Sequence, residues 1–249
     1  MGHLWRRPLG EYDGRLMRCA PGTHEAAAEL LTHHVSRDAR VLDLASGSGA
    51  LLARLRDLGY KDLSAVELNV ESFRFDGVTP RPLDLNTDFA RAYDRRDFGL
   101  VTAVEIIEHL DAPRQFVRNV HALLRTGGYF LLTTPNVAHW VGRVRFGLSG
   151  SLRQFQRHDY HYQRHISPIT DVQMRLMLEE VGFELVAFTT AGTFFGPVKR
   201  AVLWPVEATA RVALGSLALG DVAIYLAKKS DAKSDSPGKD SFYFRATGA

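Results

Sequence analysis

Apolar positions along the chain recur at two spacings, and the two alternate. Ala26, Ala27, Leu30 and Leu31 fall at helical intervals behind Thr23, a residue suited to capping, so the spacing predicts a helix over residues 23–32. A short apolar strand, Val41-Leu42-Asp43-Leu44, comes next and runs into a Gly/Ser turn from Ala45 to Gly49. Leu51, Leu52, Leu55 and Leu58 then return to helical spacing, with Gly59 placed to end that helix. Further strands are predicted near Leu63 to Val66, after a turn-rich stretch at Asp84, at Phe98 to Val104, and at Tyr129 to Thr134. Between the last two, Phe116, Val117, Val120, Leu123 and Leu124 mark a helix closed by Gly127-Gly128. Met174, Leu176, Met177 and Val181 give another helix, and Phe183 to Phe188 and Val222 to Leu226 alternate as strands. Strand and helix alternating at these lengths predict an α/β fold: a Rossmann-like, doubly wound sheet, mostly parallel, with an antiparallel edge pair and helices on both faces.

The composition narrows the class. Of the 249 residues 45% are hydrophobic and 24% charged, as in an ordinary globular protein, and the length suits one α/β domain. The expected organisation is an N-terminal extension (1–22), a catalytic domain (23–228) and a polar, disordered tail (229–249). A lone cysteine, Cys19, excludes an internal disulfide. Residues 1–7 lack a signal-peptide core, and no run is apolar enough to span a bilayer, so a cytoplasmic location is expected. The net charge of +3 is modest: it permits an anionic surface as partner and argues against DNA and RNA.

The chemistry concentrates at the predicted strand ends, where an open α/β sheet collects its ligands. Asp43-Leu44-Ala45-Ser46-Gly47-Ser48-Gly49 is a glycine turn there, but Leu52 stands where a dinucleotide fingerprint wants a third small residue. Glu67, followed by Leu68, ends the second strand and can accept hydrogen bonds from both hydroxyls of a ribose. Asp84-Leu85 ends the third and can read the edge of an adenine. Together these describe an adenosine site without a phosphate clamp.

This set resembles the class I S-adenosylmethionine (AdoMet) dependent methyltransferases. The resemblance covers about Leu30 to Lys228 and includes Arg125-Thr126-Gly127-Gly128, similar to the family's turn before the fifth strand. It implies that Asp43 holds the methionine part of AdoMet, that Ala45, Ser46, Gly47 and Gly49 border the adenosine, that Glu67 binds ribose, and that Asp84 with Leu85 binds adenine. Ala45 stands where the family usually has glycine, which a negative φ would accommodate.

Methyl transfer from a sulfonium requires an aligned nucleophile and removal of its proton. After the fourth strand, Glu105-Ile106-Ile107-Glu108-His109 would place two carboxylates and an imidazole on one face if a helical turn began at Glu105. Such a trio suits magnesium or manganese, and the imidazole admits zinc. The Glu-x-x-Glu-His pattern resembles that of the ubiquinone-biosynthesis O-methyltransferases and of small-RNA 2′-O-methyltransferases, in which it binds a divalent metal; a further ligand is then expected from His161 first, with His158 and His165 behind it. Three roles stay open for this segment: metal binding through Glu105, Glu108 and His109; His109 as a base, with Glu108, without metal; and a structural one.

Residues 137–167 look like an insertion over the strand ends, forming an acceptor pocket or lid. In it Trp140, Val141, Val144, Phe146 and Leu148 are interleaved with Arg143, Arg145, Arg153 and Arg157. Phe194 to Leu219, with Val202, Leu203 and Trp204 beside Lys199 and Arg200, is a second stretch of this kind. Core packing is the plainer explanation of both, and contact with a membrane surface or a lipid-linked substrate the alternative. The expected function is O-methylation of a small or lipid-linked acceptor, a quinone-type phenol or a glycan sugar, at the inner face of the membrane or in the cytoplasm. The alternatives are an RNA 2′-O-methyltransferase and a protein that binds AdoMet without catalysis.

Overall fold

The computed structural model describes residues 10–230; the predicted disordered tail lies almost wholly outside them. In chain order the elements are β1 (Glu11–Tyr12), β2 (Arg15–Leu16), α1 (Thr23–His34), β3 (Val41–Leu44), α2 (Ala50–Asp57), β4 (Leu63–Val66), β5 (Phe98–Ala103), α3 (Pro113–Leu123), β6 (Leu124–Pro135), α4 (Trp140–Ser149), α5 (Arg157–Gln163), α6 (Asp171–Glu180), β7 (Phe183–Ala191), α7 (Pro197–Leu214) and β8 (Val222–Lys229). β3 to β8 form one sheet in the order β4-β3-β5-β6-β8-β7. β3 runs parallel to β4 and β5, and β5 parallel to β6; β8 is antiparallel to both β6 and β7. This is the predicted doubly wound sheet with its antiparallel edge pair.

Strands buried on both faces need continuous apolar runs, and β3 and β5 supply them. On one face α3 and α6 pack Phe116, Val117, Val120, Met174 and Leu178 against Leu42, Val101 and Phe130. On the other, Leu31 of α1 and Leu51 and Leu55 of α2 cover Val41, Leu100 and Leu131. Each such fully buried side chain contributes ~1.5–3 kcal/mol relative to exposure, which fixes the strand ends where the chemistry sits. Because β3 leads to β4 on one side and pairs β5 on the other, the strand order reverses between β3 and β5, and a crevice opens at their carboxyl ends.

Four expectations change. Gly22, at φ 96°, occupies the cap position of α1 in place of Thr23, which is already helical. No strand ends at Asp84 among the described residues; between β4 and β5 the chain makes only an isolated bridge from Arg81 to Val66, because Pro80 and Pro82 withhold the donors a ladder needs. Residues 10–22 of the expected extension pack on the body, residues 1–9 lying outside the described ones: Met17, Cys19 and Ala20 are buried, and β1 and β2 form a hairpin packed beside α2. Core packing does not account for the helical parts of the two basic, apolar stretches, since Gly142 is the only residue of α4 that is buried, and in α7 Ala210 alone among the described side chains.

Candidate active site

The crevice at the β3/β5 switch opens into a cavity of about 880 Å³, toward the upper end of the ~300–1,000 Å³ of small-molecule sites. Asp43, Ala45, Ser46, Gly47, Glu67 and Glu105 line it together, as the strand-end argument requires. Gly49, Leu68, Asp84 and Leu85 do not. Gly49 caps α2 at φ 82°, where an added Cβ would meet that of Phe75 at 2.4 Å, so its role is to let the turn close. Leu68 points outward and is exposed, Leu85 is buried in the core, and Asp84 Oδ1 accepts from Asn86 N at 2.9 Å, forming a local turn.

The glycine turn is held from both sides. Glu67 Oε2 accepts from Gly47 N at 2.7 Å and Oε1 from Asn69 N at 2.9 Å, so one carboxylate ties the end of β4 to the turn after β3. Ser46 Oγ donates to the Asp43 carbonyl at 2.9 Å. Thr102, buried in β5, donates to Asp43 Oδ1 at 2.6 Å. Burial nevertheless pushes the Asp43 carboxyl up to about 7, with nearby Glu67 adding to the effect and the Thr102 hydroxyl opposing it. Ala45 departs from expectation: its φ is 56°, in the left-handed region that strains any residue with a Cβ.

Glu105 also sits at positive φ, 52°, and this breaks the expected helical face. The tight turn starts only at Ile107, so Glu105 points to Thr133, whose hydroxyl donates to Oε1 at 2.9 Å. Burial raises its pKa to about 7. Glu108 and His109 do converge, with Oε1 and Nε2 3.6 Å apart. The third member is His165, and the three donor atoms lie within 4.8 Å of one another. His158 lines the cavity but is exposed; His161, exposed on α5, does neither job. Arg164 turns the chain at φ 60°, and Ile166 N and Ser167 N then donate to the Glu108 carbonyl at 3.0 and 2.9 Å, which brings His165 to its place. His165 Nδ1 donates to Gln154 O at 2.7 Å, fixing the tautomer whose lone pair is on Nε2.

Glu108 is fully buried, and although Oε2 accepts from Thr134 at 3.3 Å, Oε1 has no hydrogen-bond partner. Desolvation and the neighbouring Glu105 hold its pKa well above the usual carboxylate range. Desolvation and His165 lower that of His109, keeping its ring neutral at pH 7. Arg153, from the insertion expected to form an acceptor pocket, does line this cavity, and with it stand His24 of α1 and Phe194 and Phe195 of the loop after β7, to which sequence reasoning gave no place in the site. Sequence reasoning also overlooked Asp221, which pairs with Arg153 and accepts from Phe194 N at 2.7 Å, clasping both loops to the start of β8. Nothing in their spacing marked these residues, because the contacts span dozens of positions.

A family model described as a methyltransferase domain matches residues 12–187, more than half of the chain. The chain belongs to the class I, AdoMet-dependent methyltransferases. This methyltransferase is 26% identical over 138 residues to a ubiquinone biosynthesis O-methyltransferase of Paraburkholderia phymatum, a match covering 52% of the chain and 59% of that protein. It is 22% identical over 119 residues to human EEF1A lysine methyltransferase 2, covering 42% of the chain and 50% of the relative. The matches thus span little more than half the length of these relatives. Among solved structures, a SAM-dependent methyltransferase from Archaeoglobus fulgidus superposes with a TM-score of 0.57 at 17% identity, over 83% of this chain and 95% of the other, which shows the shared fold.

Proposed function

We propose that this methyltransferase transfers the methyl group of AdoMet to a hydroxyl oxygen, with Glu108, His109 and His165 holding a divalent cation beside the acceptor. The observation that carries the reading is the Glu108 carboxylate, buried completely with one oxygen unpartnered and turned toward two imidazoles. A buried polar atom left without a partner costs ~1–3 kcal/mol, and a cation shared with two histidines removes that cost. With Glu105 bonded to Thr133, the donors are two nitrogens and one carboxylate, a set better suited to zinc or another transition-metal dication than to magnesium. Bound there, the cation would supply the Lewis acidity that lowers the pKa of an acceptor hydroxyl.

The chain's own residues do the remaining work. Asp43 and Glu67, at the ends of β3 and β4, receive the amino-acid arm and the ribose of the donor, while Ser46 and Gly47 border the nucleoside. With His109 held as a ligand, the acceptor's proton passes to solvent as its oxygen attacks the methyl carbon and the sulfonium leaves as a thioether, whereas without a cation the neutral His109 imidazole can take it. Phe194 and Phe195 wall the cavity against water. The similarity to ubiquinone biosynthesis O-methyltransferases favours a phenolic acceptor. A second reading, His109 acting without a cation, draws on the same neutral imidazole.

Labelled AdoMet supplied with catechol-type phenols, lipid-linked sugars and short RNA in parallel identifies the acceptor. Chelation is expected to abolish turnover, with one of zinc, manganese or magnesium restoring it, and Glu108→Gln to lower kcat at least ~100-fold and remove stoichiometric metal uptake. Full activity after exhaustive chelation, with loss only in His109→Ala, would establish the metal-free reading instead.

A further inference from the structure

We infer that the outer face formed by α4 and α7 docks the protein in the plane of an anionic lipid bilayer. α4 packs against α7, and on their outward sides the two helices expose Val144, Leu148, Val198, Val202, Val206 and Val212, each 46–89% accessible. Together they present roughly 700 Å² of apolar surface, against ~300–600 Å² for the largest patch of an ordinary monomer.

The arrangement is amphipathic with its apolar side outward. At ~100° per residue, Val198, Val202, Pro205, Val206 and Val212 fall within about a third of the circumference of α7. The single acid of that helix, Glu207, is on the partly buried side. On α4, Val144 and Leu148 point away from buried Gly142 and are flanked by exposed Arg143 and Arg145. Those guanidinium groups donate to neutral oxygens, Ala138 O at 2.7 Å and Gln156 Oε1 at 2.9 Å, and no acid occurs in residues 137–158. Residues 137–166 and 192–220 together carry eight basic and two acidic residues, so the rest of a chain of net charge +3 is net negative.

Apolar side chains bordered by uncompensated cations match the boundary between anionic headgroups and acyl chains. No described helix is long and apolar enough to cross a membrane, so the helices would lie along the surface. A second copy fits less well: a two-fold contact would set the same arginines against one another with no carboxylate to pair them. The loops continuous with the two helices, which carry Arg153, Gln154, Phe194 and Phe195, line the cavity, so docking brings its mouth to the lipid interface.

Flotation of the full chain with phosphatidylcholine vesicles, with and without phosphatidylglycerol, tests the inference. Binding is expected only with the anionic lipid. Leu148→Ser with Val202→Ser should abolish binding, and Arg143→Gln with Arg145→Gln weaken it at least ~tenfold, while circular dichroism and S-adenosylhomocysteine affinity stay unchanged. Failure to bind anionic vesicles, equal binding to neutral ones, or a concentration-dependent dimer dissolved by Leu148→Ser in place of vesicle binding would each overturn it. None of these results depends on the identity of the methyl acceptor.

Discussion

Replacing Glu67 with glutamine keeps the side chain's shape and removes its ability to accept at both ends. In the native site one oxygen takes the Gly47 amide at 2.7 Å in a partly buried setting, and the other takes the Asn69 amide at 2.9 Å near solvent. In Glu67→Gln the side chain would keep one acceptor oxygen, and its NH2 group would face the second backbone N–H. Hydrogen bonds to a charged group contribute ~1.5–3 kcal/mol when partly buried and less when exposed, so the change is expected to cost about 2 kcal/mol. For a chain of 249 residues that corresponds to a fall in Tm of ~4–8 °C. The glycine turn also lines the proposed donor site, so its loosening should weaken S-adenosylhomocysteine binding at least ~tenfold. Thermal denaturation followed by circular dichroism and isothermal titration read the two effects separately. A Tm within ~1 °C of the parent, together with unchanged affinity, would show that Glu67 does not tie β4 to the glycine turn.

Two further outcomes follow from the strained and buried residues nearby. Ala45→Gly removes a Cβ held at φ 56°, relieving ~1–2 kcal/mol of strain against ~0.5–1 kcal/mol of added unfolded-state entropy, so a small rise in denaturation midpoint is expected and a fall would contradict the strain. Asp43 has a pKa raised to about 7, and the donor's ammonium favours its ionised form; ligand binding therefore strengthens as pH rises. With about one Asp43 in ten ionised at pH 6 and nine in ten at pH 8, affinity for S-adenosylhomocysteine should climb about tenfold across that window. Titration calorimetry should find this rise intact in Glu105→Gln and lost in Asp43→Asn; persistence in Asp43→Asn would assign it to another group.

The sequence by itself determined the sheet, apart from the strand expected at Asp84, and the strand ends at which the cavity opens. The runs at Val41–Leu44, Leu63–Val66 and Phe98–Ala103 are local and continuous, and apolar periodicity of that kind survives any packing arrangement. Asp43, Gly47 and Glu67 were visible because each lies at or just past the end of such a run. What only the tertiary structure decided is everything set by backbone dihedrals or by distant chain. Positive φ at Ala45 and Glu105 is invisible in residue types that normally avoid it, yet it turned Glu105 from the expected ligand group toward Thr133. The choice of His165 over His161 depends on hydrogen bonds from Ile166 and Ser167 to Glu108, more than fifty positions away. The outward apolar face of α7 has the same origin: helical spacing identifies a stripe, but only the packed fold determines whether protein or solvent lies against it.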